Sequence, residues 1–310
     1  SGTGSTFTNS GAGALTMTGV ASYTGLTTVN SSGNSITYTN NTPPTTSGFA
    51  GAGTVTIQPA TGSTFTNAYT TNYTYASTLT GLTLGVNATT HTQAITLGSA
   101  ISIAGPITVY GGDITLANNL TSSSAGAAIK LLAMGSITSN TASNTVTTNG
   151  GAVLFASDTD GNNSGKISSG NGLTIDTRTG LSGAKSTTGT GGGAITLAGG
   201  DQAGTGYAAG LSAADATGIR VDNGLWLYSG GGDIAMRGKS WAGAVGSGGA
   251  AWGIGFWNGA TSLVADSGVG KIYLEGISRS SGTSSYKMGL STYYAVDLKS
   301  AYAGADAIKL

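Results

Sequence analysis

Short runs in which apolar and polar residues alternate recur along the chain, separated by glycine-rich steps. One such step and run is Gly192–Leu197, and Gly231–Met236 has the same form, Gly-Gly-x-apolar-x-apolar. Alternation with a period of two places every second side chain on one face, as in a half-buried β-strand. The pattern therefore predicts many short β-strands joined by glycine-rich corners.

The strand phrases return at regular intervals in the second half of the chain. From Ile195 onward the first apolar residue of the phrase is repeated after 39, 38 and 36 residues. The copies are Gly111–Leu116, Gly150–Phe155, Gly192–Leu197, Gly231–Met236, Gly270–Leu274 and Ala305–Leu310. A second family of strand phrases lies between them: Leu173/Ile175, Ile219/Val221, Ile254/Phe256 and Val296/Leu298. This spacing predicts a unit of two coils, each near 19 residues.

A longer repeat is visible near the start of the chain. Gly4–Asn9 returns as Gly62–Asn67, and Gly25–Thr27 returns as Gly81–Thr83, a period of about 58 residues. Repeats of this length, made of short strands, are typical of solenoids. We expect several turns of a solenoid in each repeat.

Stacking explains why such short strands fold. A strand with one apolar face cannot bury it alone, so each coil must cover the next at about 4.8 Å per step. Glycine and asparagine tolerate the backbone bends that each corner requires. The sequence therefore predicts an all-β protein built as a parallel β-helix (β-solenoid) with loop insertions, about 15 coils and roughly 70 Å long.

Charge divides the chain into two segments. The 24 charged residues, 12 of each sign, all lie at or after Asp113. We therefore separate residues 1–112, an uncharged segment rich in Thr, Gly and Asn, from residues 113–310, the Gly-rich coils, and expect the two to be continuous. A neutral chain with scattered cations lacks the positive patch that nucleic-acid binding needs.

Composition also excludes several kinds of site. The chain has no cysteine and a single histidine, His91, so disulfides, thiolate nucleophiles and multi-histidine zinc sites are excluded. No apolar run approaches the roughly 20 residues of a membrane-spanning helix, so we expect no membrane insertion. We place His91 at the surface and give it no role.

Several phrases resemble a known family. Ala100–Leu116, Gly126–Leu131 and Ser157–Gly165 resemble the repeat region of the large filamentous-haemagglutinin-like exoproteins, and the resemblance covers about residues 80 to 310. It implies a right-handed parallel β-helix in a very long bacterial protein. It also implies export through a partner outer-membrane pore and display on the cell surface as an adhesin.

The last phrase, Ala305–Leu310, has the form of an interior strand with no polar cap. A solenoid end needs a cap because an open coil exposes its core and an unpaired edge. We expect either more chain or a second molecule to cover it. The second case describes a filament subunit that assembles with copies of itself.

A calcium site is one interpretation of Asp158–Asn163. Asp158, Asp160 and Asn162 alternate along this stretch, and their oxygens suit a hard cation. The alternative is a turn between two coils in which these side chains bond their own backbone. The loop lacks a later glutamate, which favours the turn. We expect no other cofactor.

The four tryptophans fall within 32 residues of one another. We assign Trp226, with Phe256, to the core. Trp241 and Trp252 flank a small-residue segment that has the composition of a protruding loop. With Trp257 they form a candidate contact for a glycan or a second subunit. The alternative is that these rings pack against the β-helix.

Thr-x-Thr pairs suggest a further possibility. They occur at Thr6/Thr8, Thr16/Thr18, Thr37/Thr39, Thr54/Thr56, Thr64/Thr66 and Thr78/Thr80. Stacked on a flat face, such pairs form a hydroxyl and methyl array similar to that of ice-binding solenoids. The alternative is the ordinary preference of threonine for strands.

Catalysis has little support in the sequence. Glu275 is the only glutamate, and the nearby charged residues are Asp201, Asp215, Asp222, Asp233, Arg220 and Arg237. A surface ion pair of Asp222 with Arg220 or Arg237 is favoured over a pair of catalytic carboxylates. We therefore expect a non-enzymatic structural or adhesive rod, secreted to the bacterial cell surface. Its expected partners are copies of itself, surface glycans and the secretion pore. The alternatives are a self-polymerising filament subunit and an ice-binding or carbohydrate-binding solenoid.

Overall fold

The chain folds into short strands that stack in parallel. The computed structural model describes residues 5–11, 13–180, 191–258 and 263–310, and within these ranges it contains no helix. The strands are β1 (Phe7–Asn9), β2 (Ala14–Met17), β3 (Leu26–Val29), β4 (Ser35–Thr39), β5 (Gly48–Gly51), β6 (Thr54–Gln58), β7 (Tyr69–Thr71), β8 (Thr74–Tyr75), β9 (Gly81–Leu84), β10 (Ile95–Leu97), β11 (Ile101–Ile103), β12 (Ile107–Gly111), β13 (Ile114–Leu116), β14 (Leu120–Ala125), β15 (Ile129–Ala133), β16 (Ile137–Ser139), β17 (Asn144–Asn149), β18 (Val153–Ser157), β19 (Ile167–Ser168), β20 (Leu173–Asp176), β21 (Ile195–Gly199), β22 (Ala208–Ala209), β23 (Ile219–Asp222), β24 (Leu225–Tyr228), β25 (Ile234–Lys239), β26 (Ala250–Asn258), β27 (Leu263–Asp266), β28 (Ile272–Ile277), β29 (Tyr286–Thr292), β30 (Val296–Lys299) and β31 (Ile308–Lys309).

The strands form three faces. The long face runs β2-β4-β6-β9-β12-β15-β18-β21-β25-β28-β31. The second face runs from β7 through β10, β13, β16, β19, β23 and β26 to β29, and the third face comprises β1-β3-β5-β8 followed by β11-β14-β17-β20-β24-β27-β30. Every ladder between these strands is parallel, as in β12 with β15. The predicted all-β parallel β-helix is therefore confirmed.

Apolar side chains form columns inside the helix. One column on the long face continues in register through every coil: Leu15, Ile36, Val55, Leu82, Ile107, Ile129, Val153, Ile195, Ile234, Ile272 and Ile308. From Ile36 to Ile272 its members are at most 2% exposed. Since strand residues alternate between faces, the period-two pattern of the sequence produces this continuous core.

The coil length differs from the prediction. Along this column successive residues are 19 to 27 positions apart up to Val153, and 36 to 42 apart beyond it. Each Gly-Gly phrase from Gly192 onward therefore marks one coil rather than two. The long face has eleven rungs, which gives a length of about 50 Å instead of roughly 70 Å.

The 58-residue repeat has no structural counterpart. Phe7 lies in β1 on the third face, whereas Phe65 lies outside every strand and is fully buried. Leu26 lies in β3 of the third face, but Leu82 lies in β9 of the long face. The two copies thus occupy different environments, although each 58-residue repeat does span between two and three coils.

The glycine-rich step is a corner where successive coils nearly touch. A Cβ atom on Gly232 would come within 2.4 Å of the backbone of Gly193, and one on Gly193 would come within 2.3 Å of Gly151. Buried hydroxyls brace the same corner, since Thr148 donates to the Gly151 carbonyl and Ser267 donates to the Gly270 carbonyl. Only glycine permits this approach, which explains why the Gly-Gly phrase recurs.

Insertions enlarge one corner of the later coils. Residues 158–166, 200–218, 240–249 and 278–285 each connect the long face to the second face, and we call them the side rib. They stack on one another: β22 pairs with the end of β25, and the Trp241 amide donates to the Ala216 carbonyl. The strand pairing crosses Gly112 without a break, so the charge boundary is not a break in the sheet.

Candidate functional site

The loop with calcium-like composition folds as a turn at the base of the side rib. Oδ1 of Asp158 accepts hydrogen bonds from the amides of Asn163, at 2.9 Å, and Ser164, at 3.2 Å. Asp160 accepts from the side chain and amide of Asn162. These are the backbone-directed contacts that the turn interpretation predicts.

The carboxylates of this loop face different surroundings. Asp158 is fully buried, and its Oδ2 lies 3.6 Å from Nζ of Lys239, whereas Asp160 and Asn162 are exposed. The ammonium group of Lys239 thus supplies the positive charge nearest to the Asp158 carboxylate. Within the ranges that the structure describes, no group of three or more His, Cys, Asp or Glu residues is arranged to hold a metal ion.

The structure separates the tryptophans. Trp252 is only 1% exposed, so the expectation that it forms part of an exposed patch is wrong. Its ring lies against Gly255, where a Cβ atom would come within 2.1 Å of it. Trp226, which we assigned to the core, instead lies half-buried on the outside of β24 between the buried Leu225 and Leu227.

Trp257 lies at the centre of an aromatic cluster on the second face. Its ring centre is 4.7 Å from that of Trp252 and 5.9 Å from that of Tyr293. The guanidinium carbon of Arg220 lies 5.2 Å from the same ring centre, a cation–π distance. Nε of Arg220 also contacts Oδ2 of Asp222 at 2.8 Å. Trp257 therefore packs against two aromatic rings and one guanidinium group.

Trp241 belongs to a small second core inside the side rib. It packs, half-buried, against the buried side chains of Ala216, Val245 and Ala251. This contact matches the alternative in which the ring packs against the protein. Trp241 therefore stabilises the side rib by packing and is a weaker candidate for contact with a glycan or a second subunit.

A cleft of about 200 Å³ opens between the side rib and Trp257. It is lined by Ala213–Thr217, Arg220, Gly248–Ala250 and Trp257. One wall thus carries an aromatic ring and a guanidinium, and the opposite wall is backbone and small side chains. Asp215, which contacts Lys166, adds a carboxylate with one buried oxygen that lacks a hydrogen-bond donor. This is the strongest candidate binding site.

The threonine pairs form a column rather than a broad array. Thr16, Thr37, Thr56, Thr83 and Thr108 stack in register on the outside of the long face. The position two residues earlier changes from Ala14 to Ser35, Thr54 and Gly81. Thr64 and Thr78 lie outside the strands. The two-column pattern therefore extends over few rungs.

Sequence reasoning missed the corner hydroxyls and the partner of Asp158. The sequence does carry a pattern that predicts the corner hydroxyls: each lies three residues before a corner glycine, as Thr148, Ser229 and Ser267 show. No sequence pattern predicts the contact between Asp158 and Lys239, because these residues are far apart in sequence and only the stacking of the coils brings them together.

Comparison of the chain with family models, with curated proteins and with solved structures finds no match. The resemblance to the filamentous-haemagglutinin-like exoproteins therefore rests on the repeat phrases alone. Within the described residues, no helix has the length and apolar character needed to cross a membrane.

Proposed function

We propose that this chain is a non-enzymatic, rigid segment of a secreted bacterial cell-surface protein, in which it acts as a structural and adhesive rod. The observation that supports the rod is the long face, where eleven strands stack in parallel with one continuous apolar column inside. Each rung is hydrogen-bonded to the next, so the helix resists bending along about 50 Å. A rod of this kind spaces or projects whatever is attached to it.

The adhesive contact that the geometry favours is the Trp257 cleft, with a glycan as its ligand. A sugar ring offers an apolar face for an aromatic ring and hydroxyls for charged groups. Trp257 and Arg220 provide both along one wall. The volume of about 200 Å³ is below that of most drug-sized pockets and suits one sugar ring.

Small-angle X-ray scattering over a concentration series tests the rod. We expect an asymmetric pair-distance distribution with a longest dimension above the roughly 50 Å diameter of a compact sphere of this chain length. A compact sphere would overturn the proposal. Fibres that grow with concentration would instead favour a self-polymerising filament subunit.

A printed array of host and bacterial glycans tests the cleft. We expect retention of a subset of glycans, and at least tenfold weaker retention by Trp257→Ala. Trp226→Ala is the matched control, because Trp226 is also half-buried but lies on the third face. Equal loss in both variants, or no retention by the wild-type chain, would overturn glycan binding at this site.

A further inference from the structure

Asp158 and Lys239 form the most deeply buried pair of opposite charges for which the structure gives a contact. Asp158 follows β18 and Lys239 ends β25, so the pair joins two coils that are separated by the coil of β21. The Asp158 side chain is 0% exposed and that of Lys239 is 13% exposed. Water is therefore largely excluded from the contact.

The two oxygens of Asp158 have different environments. Oδ1 accepts hydrogen bonds from two consecutive backbone amides, those of Asn163 and Ser164. Oδ2 is buried and has no hydrogen-bond partner, although Nζ of Lys239 lies 3.6 Å away. Charged hydrogen bonds are normally about 2.7–2.9 Å long. The amine is thus close to the carboxyl group without forming an optimal ion pair.

Burial favours the neutral forms of both groups. It raises the pKa of Asp158 and lowers the pKa of Lys239, and it outweighs the attraction between the two charges, which acts on each pKa in the opposite direction; the positive charge of Arg279 lowers the pKa of Lys239 further. Transfer of one proton from Nζ to Oδ2 produces a free amine beside a carboxylic acid. Neutral amines are nucleophiles, whereas ammonium groups are not.

We propose that Lys239 and Asp158 react with each other to form an intramolecular amide (isopeptide) bond. Nζ attacks Cγ of Asp158, and the C–N bond forms as negative charge develops on Oδ1. The amides of Asn163 and Ser164 already point at Oδ1 and stabilise this charge as an oxyanion hole does.

The reaction is a dehydration and balances within the pair. Nζ starts as an ammonium group, retains one hydrogen in the amide and passes two hydrogens to Oδ2. The Cγ–Oδ2 bond then breaks, and Oδ2 leaves as water. No oxidant, reductant or second reactant takes part. The fixed approach of the two groups replaces the collision that would otherwise limit the rate.

A second lysine–aspartate contact in the side rib lacks these features. Lys166 contacts Oδ2 of Asp215, but the two side chains are 16% and 28% exposed. No donor contacts the Oδ1 atom of Asp215, so an oxyanion there is not stabilised. We therefore expect Lys166 and Asp215 to remain an ion pair. This contact serves as an internal control.

The bond would link the first loop of the side rib, residues 158–166, to β25, the strand that leads into the third loop, residues 240–249. Such a cross-link stabilises a fold chiefly by restricting the unfolded chain, and mechanical force cannot separate the two coils without breaking a covalent bond. The inference does not depend on glycan binding.

Intact-mass spectrometry of the purified, folded chain tests the proposal. We expect a mass lower than that of the sequence by one water molecule, and a branched peptide that links residues 158 and 239 in the fragment spectra. A wild-type mass equal to that of the sequence after prolonged incubation of the folded protein would overturn the proposal. A branch at residues 166 and 215 would also overturn it.

Three variants sharpen this test. Lys239→Arg keeps the charge but should show the full mass, and Lys166→Arg should still lose one water. Asp158→Asn should lose ammonia instead and reach the same product mass as the wild type. Circular dichroism identifies any variant that fails to fold. The wild-type mass decides the question without them.

Discussion

The compact coils from β6 to Asp158 and the expanded coils after it share the same three faces but differ in what their corners carry. In the last two compact coils the corner between the long and second faces takes two or three residues, as between β12 and β13, whereas it takes ten residues between β6 and β7 and between β9 and β10. In the expanded coils the side rib occupies it, and only Asp113 and Lys130 among the charged residues precede Asp158. The inward columns hold the register, so insertions accumulate at a corner where no column passes.

The interior of the first coils differs from that of the later coils, because aromatic side chains pack there. The coils before β7 have strands on two faces only, and aromatic side chains pack inside them and inside the coil of β7. Phe49 lies 6.2 Å from Tyr38 and 5.1 Å from Tyr73, measured between ring centres. Later coils close with a third strand and use aliphatic side chains such as Ile107 and Ile129.

The largest expected effect comes from the shared inner column. Phe155 is 1% exposed and stacks between Leu131 and Leu197. Phe155→Ala leaves a cavity that the neighbouring rungs cannot fill, and we expect a loss of about 3–5 kcal/mol in the free energy of unfolding. Urea unfolding followed by circular dichroism measures it. Leu154→Ala, on the outside of the same strand, should cost much less, and equal costs would contradict the inner column.

The glycine corner should give the next largest effect. Gly232→Ala places a Cβ atom 2.4 Å from the Gly193 backbone, and we expect a loss of about 1–3 kcal/mol in the free energy of unfolding from overpacking. Gly246→Ala, in the side rib, is the matched control. Nothing lies within 4 Å of a Cβ atom there, so this change should be neutral or slightly stabilising. Equal losses in both variants would show that close approach is not the cause.

The comparison also shows which features the sequence could predict. Alternation at Ile195 and Leu197 and the glycine step before them are local signals, and they were sufficient to predict stacked parallel strands. The number of coils depends on how long each corner insertion is, which alternation does not report. Trp252 was misplaced because Gly255, three residues away, supplies the surface that buries it.

The compact coils contain the one histidine of the chain, His91, so the pH dependence of the free energy of unfolding tests their packing. His91, expected at the surface, is 1% exposed, lies 5.2 Å from Phe65 between ring centres, and has no hydrogen-bond partner on either ring nitrogen. Burial lowers its pKa from 6.5. Below pH 6.5 the imidazole of His91 binds a proton more readily in the unfolded chain than in the folded chain. The free energy of unfolding therefore decreases as the pH falls below 6.5.

His91→Phe tests this effect, because it keeps a ring at this position and removes the titrating group. Urea unfolding at about pH 7.5 and about pH 5 should show a smaller pH-dependent loss in the variant than in the wild type. All other titrating groups are the same in both proteins and cancel in the difference. Identical pH dependence would mean that His91 gains a proton in the folded chain without cost.

The smallest effect should come from the second core of the side rib. Val245 is 1% exposed and packs against Ala216 and Ala251. Val245→Ala removes two methyl groups from a cluster of few members, so we expect a loss of about 1 kcal/mol that is confined to the rib. Hydrogen exchange should become faster in residues 240–249 and 278–285 and stay unchanged in β18. Val20→Ala, at a position 60% exposed, is the control and should change neither. If exchange in β18 accelerates as well, the rib and the helix unfold as one unit, and the corner insertions are part of the fold rather than additions to it.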